Sequence, residues 1–408
     1  MIELLVGAAL YVTFWGLIPG IGPFLQEAAI LLLFAAASYA ALISRVQAIA
    51  VSGSEIVMYV AGIAYVVLAM LSEQDAVGIA IAFFSCIVFV SMICRAISLE
   101  KLMNVGAAVA LLCVLTSVIF DRSEALAALS PSGGAGLARF MPLNTTPNLV
   151  GYIFGAGAIL MARRAVISAR TLERAIMITA ALLACLFVLA ASARSSLIAL
   201  FAAAIVAVVF EFGVRRVVSL KWVKIGFTAL AVFCIVFAER IGAYFSRLLE
   251  LDSQTRGIAS GGSGRTNLWA RGIATLFENW STFLFGGGFR SSNSDLIGFS
   301  TESSYITILL DSGVFIGTAM ILVFWYSPIK ALTLTAPAQR SSGPLVLLTS
   351  FLTFVIVESA FNRYLLAIGN PTSLISLLLV FGVAIREKAE ARAARLPIEW
   401  HSAREHAK

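Results

Sequence analysis

Five short stretches of this chain hold residue types that do chemistry. They are Ser192-Ala193-Arg194-Ser195, the run Gly264-Arg265 through Trp269 to Arg271-Gly272, Phe285-Gly286-Gly287-Gly288-Phe289-Arg290, Ser300-Thr301-Glu302-Ser303-Ser304-Tyr305, and Glu358-Ser359-Ala360-Phe361-Asn362-Arg363. Arginine offers a planar fork of donors, keeps its charge at any working pH and grips phosphate with two parallel hydrogen bonds. Glycine lets a backbone approach a ligand closely. A carboxylate such as Glu302, set opposite such arginines, is placed to act as a general base. Each piece also has a plain structural reading. Arg194 snorkels to lipid headgroups. Glu302 complements the dipole of the helix that follows, with Thr301 or Ser303 as its cap. Glu358 and Arg363 make a local salt bridge. The triple glycine is not a nucleotide-binding loop, because the lysine and Ser/Thr that hold phosphate and magnesium are missing.

The elements that must position these residues follow from composition. The chain has 408 residues, of which 60% are apolar and only 12% charged, with a mean hydropathy of +0.96. Soluble domains carry about 25% charged residues, so the reading is an all-α polytopic membrane protein whose solvent is lipid. A net charge of +7 is scattered over short loops and reads as topogenic, not as a nucleic-acid surface. The five cysteines lie in apolar runs without a CxxC pair, as small buried hydrophobes; neither disulfides nor a zinc site are expected. Both histidines, His401 and His406, fall in the polar tail, which removes histidine chemistry from the spans and outer loops. Met1-Ile2-Glu3 lacks a basic lead, so the first apolar run reads as a retained helix.

About twelve transmembrane helices are expected, near residues 3–18, 28–43, 55–71, 76–94, 102–120, 147–162, 175–192, 195–210, 225–239, 304–326, 344–360 and 371–385. The apolar stretch 175–210 would be roughly 50 Å long as one helix, against a hydrocarbon core of about 30 Å. It therefore divides at Ser192–Ser196, which puts Arg194 at a membrane surface. Nineteen of the 29 basic residues fall on one side of this topology and ten on the other. The rule that short cytoplasmic loops are positive places both termini in the cytoplasm. The chain then divides into helices 1–9 (residues 1–239), a large outer loop (240–303), helices 10–12 (304–385) and a solvated tail (386–408).

Every basic residue on the outer side is an arginine, including Arg139, Arg194, Arg265, Arg271, Arg290 and Arg363. Within the outer loop, Leu268, Arg271, Thr275 and Glu278 recur at helical spacing. This predicts an amphipathic surface helix over 266–279, with Trp269, Phe277 and Trp280 as interfacial anchors. Asp311 lies inside the tenth span, where acids face the protein interior and pair with arginine.

Taken in order, the pieces resemble the Wzy / O-antigen ligase superfamily of membrane glycosyltransferases. The resemblance rests on Ser192–Ser195, Gly264-Arg265 to Trp269, Gly286 to Phe289, Glu302 to Tyr305 leading to Gly313 and Gly317, and an upstream Pro147, Asn148 and Gly151, and covers roughly residues 135–325. It implies a GT-C-like fold with a large periplasmic loop, in the bacterial inner membrane, with the active site on the periplasmic side. The family's ligases carry a histidine where this chain has Glu302, which moves the implied activity to repeat-unit polymerisation. On that reading, undecaprenyl-pyrophosphate-linked glycans are donor and acceptor. Arg194 and Arg265 clamp the pyrophosphate and Glu302 is the base. Arg290, Arg139, Asn148, Arg271, Tyr305, Glu358 and Arg363 bind substrate. Transfer inverts the anomeric carbon without metal or cofactor, with a chain-length regulator as a further partner. The alternatives are a ligase that moves finished polymer to a lipid or protein acceptor, and a secondary transporter or lipid-carrier flippase. Transporters favour internal repeats and mid-membrane charges, whereas no repeat is evident here and the arginines gather at one face.

Overall fold

The computed structural model describes residues 1–18, 20–43, 51–71, 76–129, 139–212, 264–289, 299–334 and 343–406. The described residues are helical, without strands. The helices are α1 (Ile2–Trp15), α2 (Gly22–Ile43), α3 (Gly53–Leu71), α4 (Val77–Ala96), α5 (Leu99–Phe120), α6 (Arg122–Leu129), α7 (Pro147–Ile167), α8 (Thr171–Ala190) and α9 (Arg194–Phe212). After the outer segment come α10 (Arg265–Glu278), α11 (Trp280–Phe285), α12 (Ser304–Thr333), α13 (Gly343–Ser359) and α14 (Pro371–His406). Seven of the described helices are long and apolar enough to cross a membrane, and α1, α9 and α13 contribute shorter apolar stretches.

The apolar spans expected from the sequence thus coincide with helices, except for 225–239, which lies outside the described residues together with residues 240–263 and Arg290. The division of 175–210 falls where expected, with α8 ending at Ala190 and α9 beginning at Arg194. The short helices α6 and α11 are additional. So is the length of α14, which continues through the expected tail to His406.

Side-chain size decides which face of each helix turns inward. On α3, Met58, Ala61, Gly62, Tyr65 and Ala69 are buried, while Ile56, Val60, Ile63, Val67 and Met70 point outward. Both faces are apolar and small residues mark the inner one, which is how helices pack when lipid is the solvent. α7 is the most enclosed of the long spans. Gly155 lies against the ring of Phe354 and Gly157 against Ala110, so α13 and α5 approach α7 closely. α7 packs against α5, α8 and α13, α9 lies along α13, and the first half of α14 threads between α1, α4, α5 and α12.

Charge at the end of the bundle away from the arginine-rich loops is neutralised locally. Glu55, fully buried at the start of α3, accepts from the Ser52 backbone N–H at 2.7 Å and from Arg95 at 2.7 Å, and also from the Ser91 hydroxyl. Buried Arg163 donates to Asn104 at 3.0 Å, and Lys330 pairs with Glu387. The opposite end holds the candidate site.

Candidate functional site

The turn from α8 to α9 forms one wall. The last carbonyls of a helix have no intrahelical partner. Here Arg139 supplies one, donating Nε to the carbonyl of Ala191 at 2.8 Å and Nη2 to that of Ser192 at 3.1 Å. The Phe140 N–H reaches the carbonyl of Ala190 at 3.1 Å. Ser192 adopts φ +51, an uncommon conformation for a residue with a Cβ. It reverses the chain so that α9 opens on Arg194, with Ser195 and Ser196 in its first turn. α7 presses on this turn through Gly151, where a Cβ would stand 2.2 Å from Ser196 Oγ and 2.4 Å from Ala193 Cβ. Pro147 starts α7 at a position where its missing N–H costs nothing, and Asn148 is half-buried in the same first turn.

Across from the turn stands Glu358, near the end of α13 and fully buried. Its Oε1 accepts from Ser195 Oγ at 3.1 Å, from Ser196 Oγ at 2.8 Å and from the Asn362 side-chain amide. The guanidinium of Arg265 lies within electrostatic reach of the same carboxylate. The second residue of α9 therefore binds this buried acid, and the first residue of α10 acts on it electrostatically. Glu358 is engaged by these groups, while Arg363, five residues on, is exposed and lines a neighbouring cavity with Asp311.

Asn362 passes the connection on. Its carbonyl accepts from the Ser304 N–H at 2.8 Å and from the Ser304 hydroxyl, which itself accepts from the Leu365 N–H at 3.1 Å. The start of α12 is thereby tied to the loop after α13. Tyr305 contributes to this packing, its hydroxyl donating to the Ile356 carbonyl at 2.5 Å. That geometry gives Tyr305 a scaffolding place at the site.

Glu302 sits just before this helix, half-buried, at φ +53. Its carboxylate accepts from Ser300 Oγ at 3.1 Å. Ser303 occupies the N-cap position without a side-chain capping bond, and the Thr301 hydroxyl contacts the Ser303 carbonyl and the Thr307 hydroxyl. The Glu302 charge is felt at Tyr364, whose hydroxyl shares a 3.1 Å hydrogen bond with Thr146. Burial raises the Tyr364 phenol above its ordinary pKa and the Glu302 charge adds to this, while the Thr146 bond and the charges of Arg363 and Arg265 oppose it. Tyr364 thus lies within electrostatic reach of Glu302, Arg265 and Arg363. Leu143, Ser192 and Glu302, the non-glycine residues of positive φ among those described, all lie in connections at this end. Strained backbone of this kind costs roughly 1–3 kcal/mol per residue and gathers at functional sites.

The glycines of the outer segment explain how α10 and α11 are held. Gly272 lets α10 rest on the start of α12, where a Cβ would come within 2.9 Å of Ile306 and 3.0 Å of Thr301. Gly286 and Gly313 interlock backbone against backbone. A Cβ on Gly286 would lie 2.4 Å from the Asp311 carbonyl, and one on Gly313 would lie 2.3 Å from the Leu284 oxygen. α12 is broken at Gly313 (φ +72), and the N–H groups of Gly287 and Gly288 take the freed carbonyls of Leu310 and Asp311 at 2.7 and 3.0 Å. Phe289 then inserts between Tyr65 and Phe83, each ring centroid 4.9 Å away.

The surface helix matches the expected amphipathic stretch, with one difference. Phe277 and Trp280 are exposed, as interfacial anchors would be, but Trp269 turns inward to Phe361, 5.9 Å between centroids. It lies on the same side of α10 as Gly272, the contact face with α12. Arg271 stacks its guanidinium over Phe299 at 4.2 Å.

Buried polar atoms at this end, among them Glu358 Oε2, Asn362 Oδ1 and Trp269 Nε1, make no hydrogen bond to the described residues. Buried polar groups are otherwise satisfied in folded proteins, so these atoms are suited to bind polar groups of a ligand or water. Thr146, Asn362 and Tyr364 are parts of the site that the sequence did not single out. Asn362 stands in the stretch Glu358–Arg363, four residues after Glu358 and just past the end of α13. No protein-family model matches the chain, and no curated protein matches it in sequence.

Proposed function

We propose that this protein is a membrane glycosyltransferase that polymerises oligosaccharide repeat units carried on undecaprenyl pyrophosphate, as its resemblance to the Wzy / O-antigen ligase superfamily implies. The observation that carries the reading is the buried Glu358 carboxylate, which is bonded by Ser195 and Ser196 of the turn that carries Arg194 and lies within electrostatic reach of Arg265. This happens at one end of an apolar helical bundle, beside the half-buried Glu302. Lipid-borne diphosphate arrives at such a height in the membrane, and paired guanidinium groups suit it.

In the proposed reaction, a sugar hydroxyl of the acceptor attacks the anomeric carbon of the donor glycan. The carbon–oxygen bond to the pyrophosphate breaks, and the anomeric configuration inverts. Charge develops on the leaving diphosphate, where Arg194 and Arg265 stabilise it. Glu302 takes the hydroxyl proton. Glu358 acts as a positioning residue: it fixes the serine turn beneath Arg194 and its charge faces Arg265. The positive-inside arrangement of short loops supports placing this end in the periplasm of a bacterial inner membrane.

The test replaces Arg194 or Arg265 with Lys, which keeps the charge and removes the fork. Purified protein is incubated with lipid-pyrophosphate-linked repeat units and the products are resolved by size. Near-loss of long chains at normal folding is expected, and wild-type polymer in both variants rejects the clamp. Glu302→Gln is expected to abolish chain growth. In cells, loss of the protein should leave single repeat units; accumulation of long chains on the carrier identifies a ligase instead.

A further inference from the structure

Beside the reaction centre lies a cavity of about 350 Å³ whose walls include Tyr65, Phe289, Thr307, Asp311, Arg363 and Tyr364. Its size is that of a small-molecule site, where pockets run from roughly 300 to 1,000 Å³. The composition is selective. Among the described residues the lining holds one acid and one base, the hydroxyls of Thr307 and Tyr364, the buried rings of Tyr65 and Phe289, and an aliphatic side that includes Leu366 and Ala367. With Asp311 beside Arg363, the described lining lacks the excess of positive charge that a diphosphate needs. A neutral saccharide suits this lining: vicinal hydroxyls donate to a carboxylate and accept from a guanidinium, and the C–H face of a sugar ring packs on the aliphatic side chains.

Asp311 is held firmly for this task. It is 4% exposed, and its carbonyl is bound by the Gly288 N–H at 3.0 Å through the interlock of Gly286 with Gly313. The adjoining Phe289 is fixed by the same loop. The glycine bend therefore places an acid and an aromatic ring on one cavity together. Tyr364 joins the cavity to the reaction centre, since its hydroxyl meets Thr146 while its surroundings include Glu302 and Arg265.

We infer that this cavity seats a sugar of the acceptor glycan, a subsite for neutral saccharide separate from the diphosphate clamp, with Asp311 as its main hydrogen-bond acceptor. The inference rests on the glycosyltransferase reading. It gives the bend after α11 a purpose in acceptor selection and sets the attacking hydroxyl beside Glu302.

The experiment measures binding by titration calorimetry to the full chain in lipid nanodiscs. One probe is the free repeat-unit oligosaccharide released by mild acid from the lipid-linked pool of the producing cells, and the other is inorganic pyrophosphate. Asp311→Asn and Ala367→Phe, the latter filling the cavity while sparing the acid, are expected to weaken oligosaccharide binding about tenfold or more. Both should leave pyrophosphate binding unchanged. Arg265→Lys should do the reverse. Thermal unfolding verifies the fold of each variant, and Thr307→Val serves as a milder change in the same wall. Oligosaccharide binding at wild-type strength in the folded Asp311 and Ala367 variants overturns the subsite, as does a wild-type protein that binds no oligosaccharide. If oligosaccharide binding depends on Asp311 while pyrophosphate is indifferent to Arg265, the subsite holds and the diphosphate clamp falls.

Discussion

Ser196 donates its hydroxyl to Glu358 at 2.8 Å, joining the first turn of α9 to the end of α13 across 162 residues of chain. Ser195 repeats the contact at 3.1 Å and Asn362 adds a third donor to the same oxygen. The carboxylate thereby sets the distance between the turn that carries Arg194 and the loop that carries Tyr364. Arg265 supplies the countercharge from α10.

Glu358→Gln keeps an oxygen for the serines but removes the charge that faces Arg265 and sets a second amide against Asn362. Chain growth in the purified assay is expected to fall about tenfold or more, since the loss of one charge-assisted hydrogen-bond set is worth that much. Glu358→Ala leaves the serines, Asn362 and Arg265 without their partner and should unfold at distinctly lower temperature, by analogy with broken buried ion pairs that cost about 3–5 kcal/mol. Ser196→Ala removes one donor of three and should cost about 1 kcal/mol. Wild-type thermal stability in Glu358→Ala would show that the acid organises nothing.

Much of this was legible in the sequence because lipid imposes a simple rule. Long apolar runs become helices, and a run too long for the bilayer must turn, which located Arg194 at a helix start. The amphipathic pattern after Gly264 likewise gave α10 nearly to the residue. What escaped were relationships between distant segments. Trp269 reads as an interfacial anchor until α12 is seen packed on its face of the helix. Arg139 reads as a substrate-binding residue, with no sign in the sequence that its guanidinium also meets the carbonyls at the end of α8. Glu358 and Arg363 read as neighbours able to pair; what the sequence did not show is that Ser195, Ser196 and Asn362 bind the acid. Periodicity reports which face is apolar; it does not report which helix covers that face.

Gly151→Ala tests how tightly the serine turn is held. The added methyl would stand 2.2 Å from Ser196 Oγ and 2.4 Å from Ala193 Cβ, with no space for relaxation short of moving the turn. Overpacking of this kind costs roughly 1–3 kcal/mol. Gly157→Ala, on the same helix, meets only Ala110 at 3.0 Å and serves as the comparison. The expected outcome is a clear loss of stability and of chain growth for Gly151→Ala and a small effect for Gly157→Ala. Equal unfolding temperatures for the two variants would refute the close approach of α7 to the turn.

The interlock of Gly286 with Gly313 predicts a graded series. Both have positive φ, and at both a methyl group would sit within 2.5 Å of backbone atoms, so alanine at either combines strain with a clash that no side chain can relieve. Gly264, at φ +74 ahead of α10, has nothing within 4 Å of the same position. Alanine there meets only the left-handed penalty of about 1–2 kcal/mol. Thermal unfolding should therefore rank Gly264→Ala well above Gly286→Ala and Gly313→Ala in stability. The latter two should also lose oligosaccharide binding, because Asp311 and Phe289 depend on the bend.

Asp121 follows α5 at the same end of the bundle, outside the apolar spans, and gives a prediction with pH. Partial burial raises its pKa above the ordinary 3.8; a hydrogen bond from the Leu143 backbone opposes this and the nearby Glu124 charge adds to it. Its Oδ2 is buried without a hydrogen-bond partner among the described residues. A carboxyl whose pKa rises on folding binds its proton more tightly in the folded state. Stability from this group is then greatest below 3.8 and falls as pH rises through the raised value, so the penalty is complete at neutral pH. Asn at this position keeps an oxygen for the Leu143 N–H and carries no charge. Asp121→Asn is expected to unfold at a higher temperature than wild type at neutral pH, with the difference closing as the pH drops below the ordinary carboxylate range. A difference independent of pH would assign the effect to packing around Leu143 instead of to the charge.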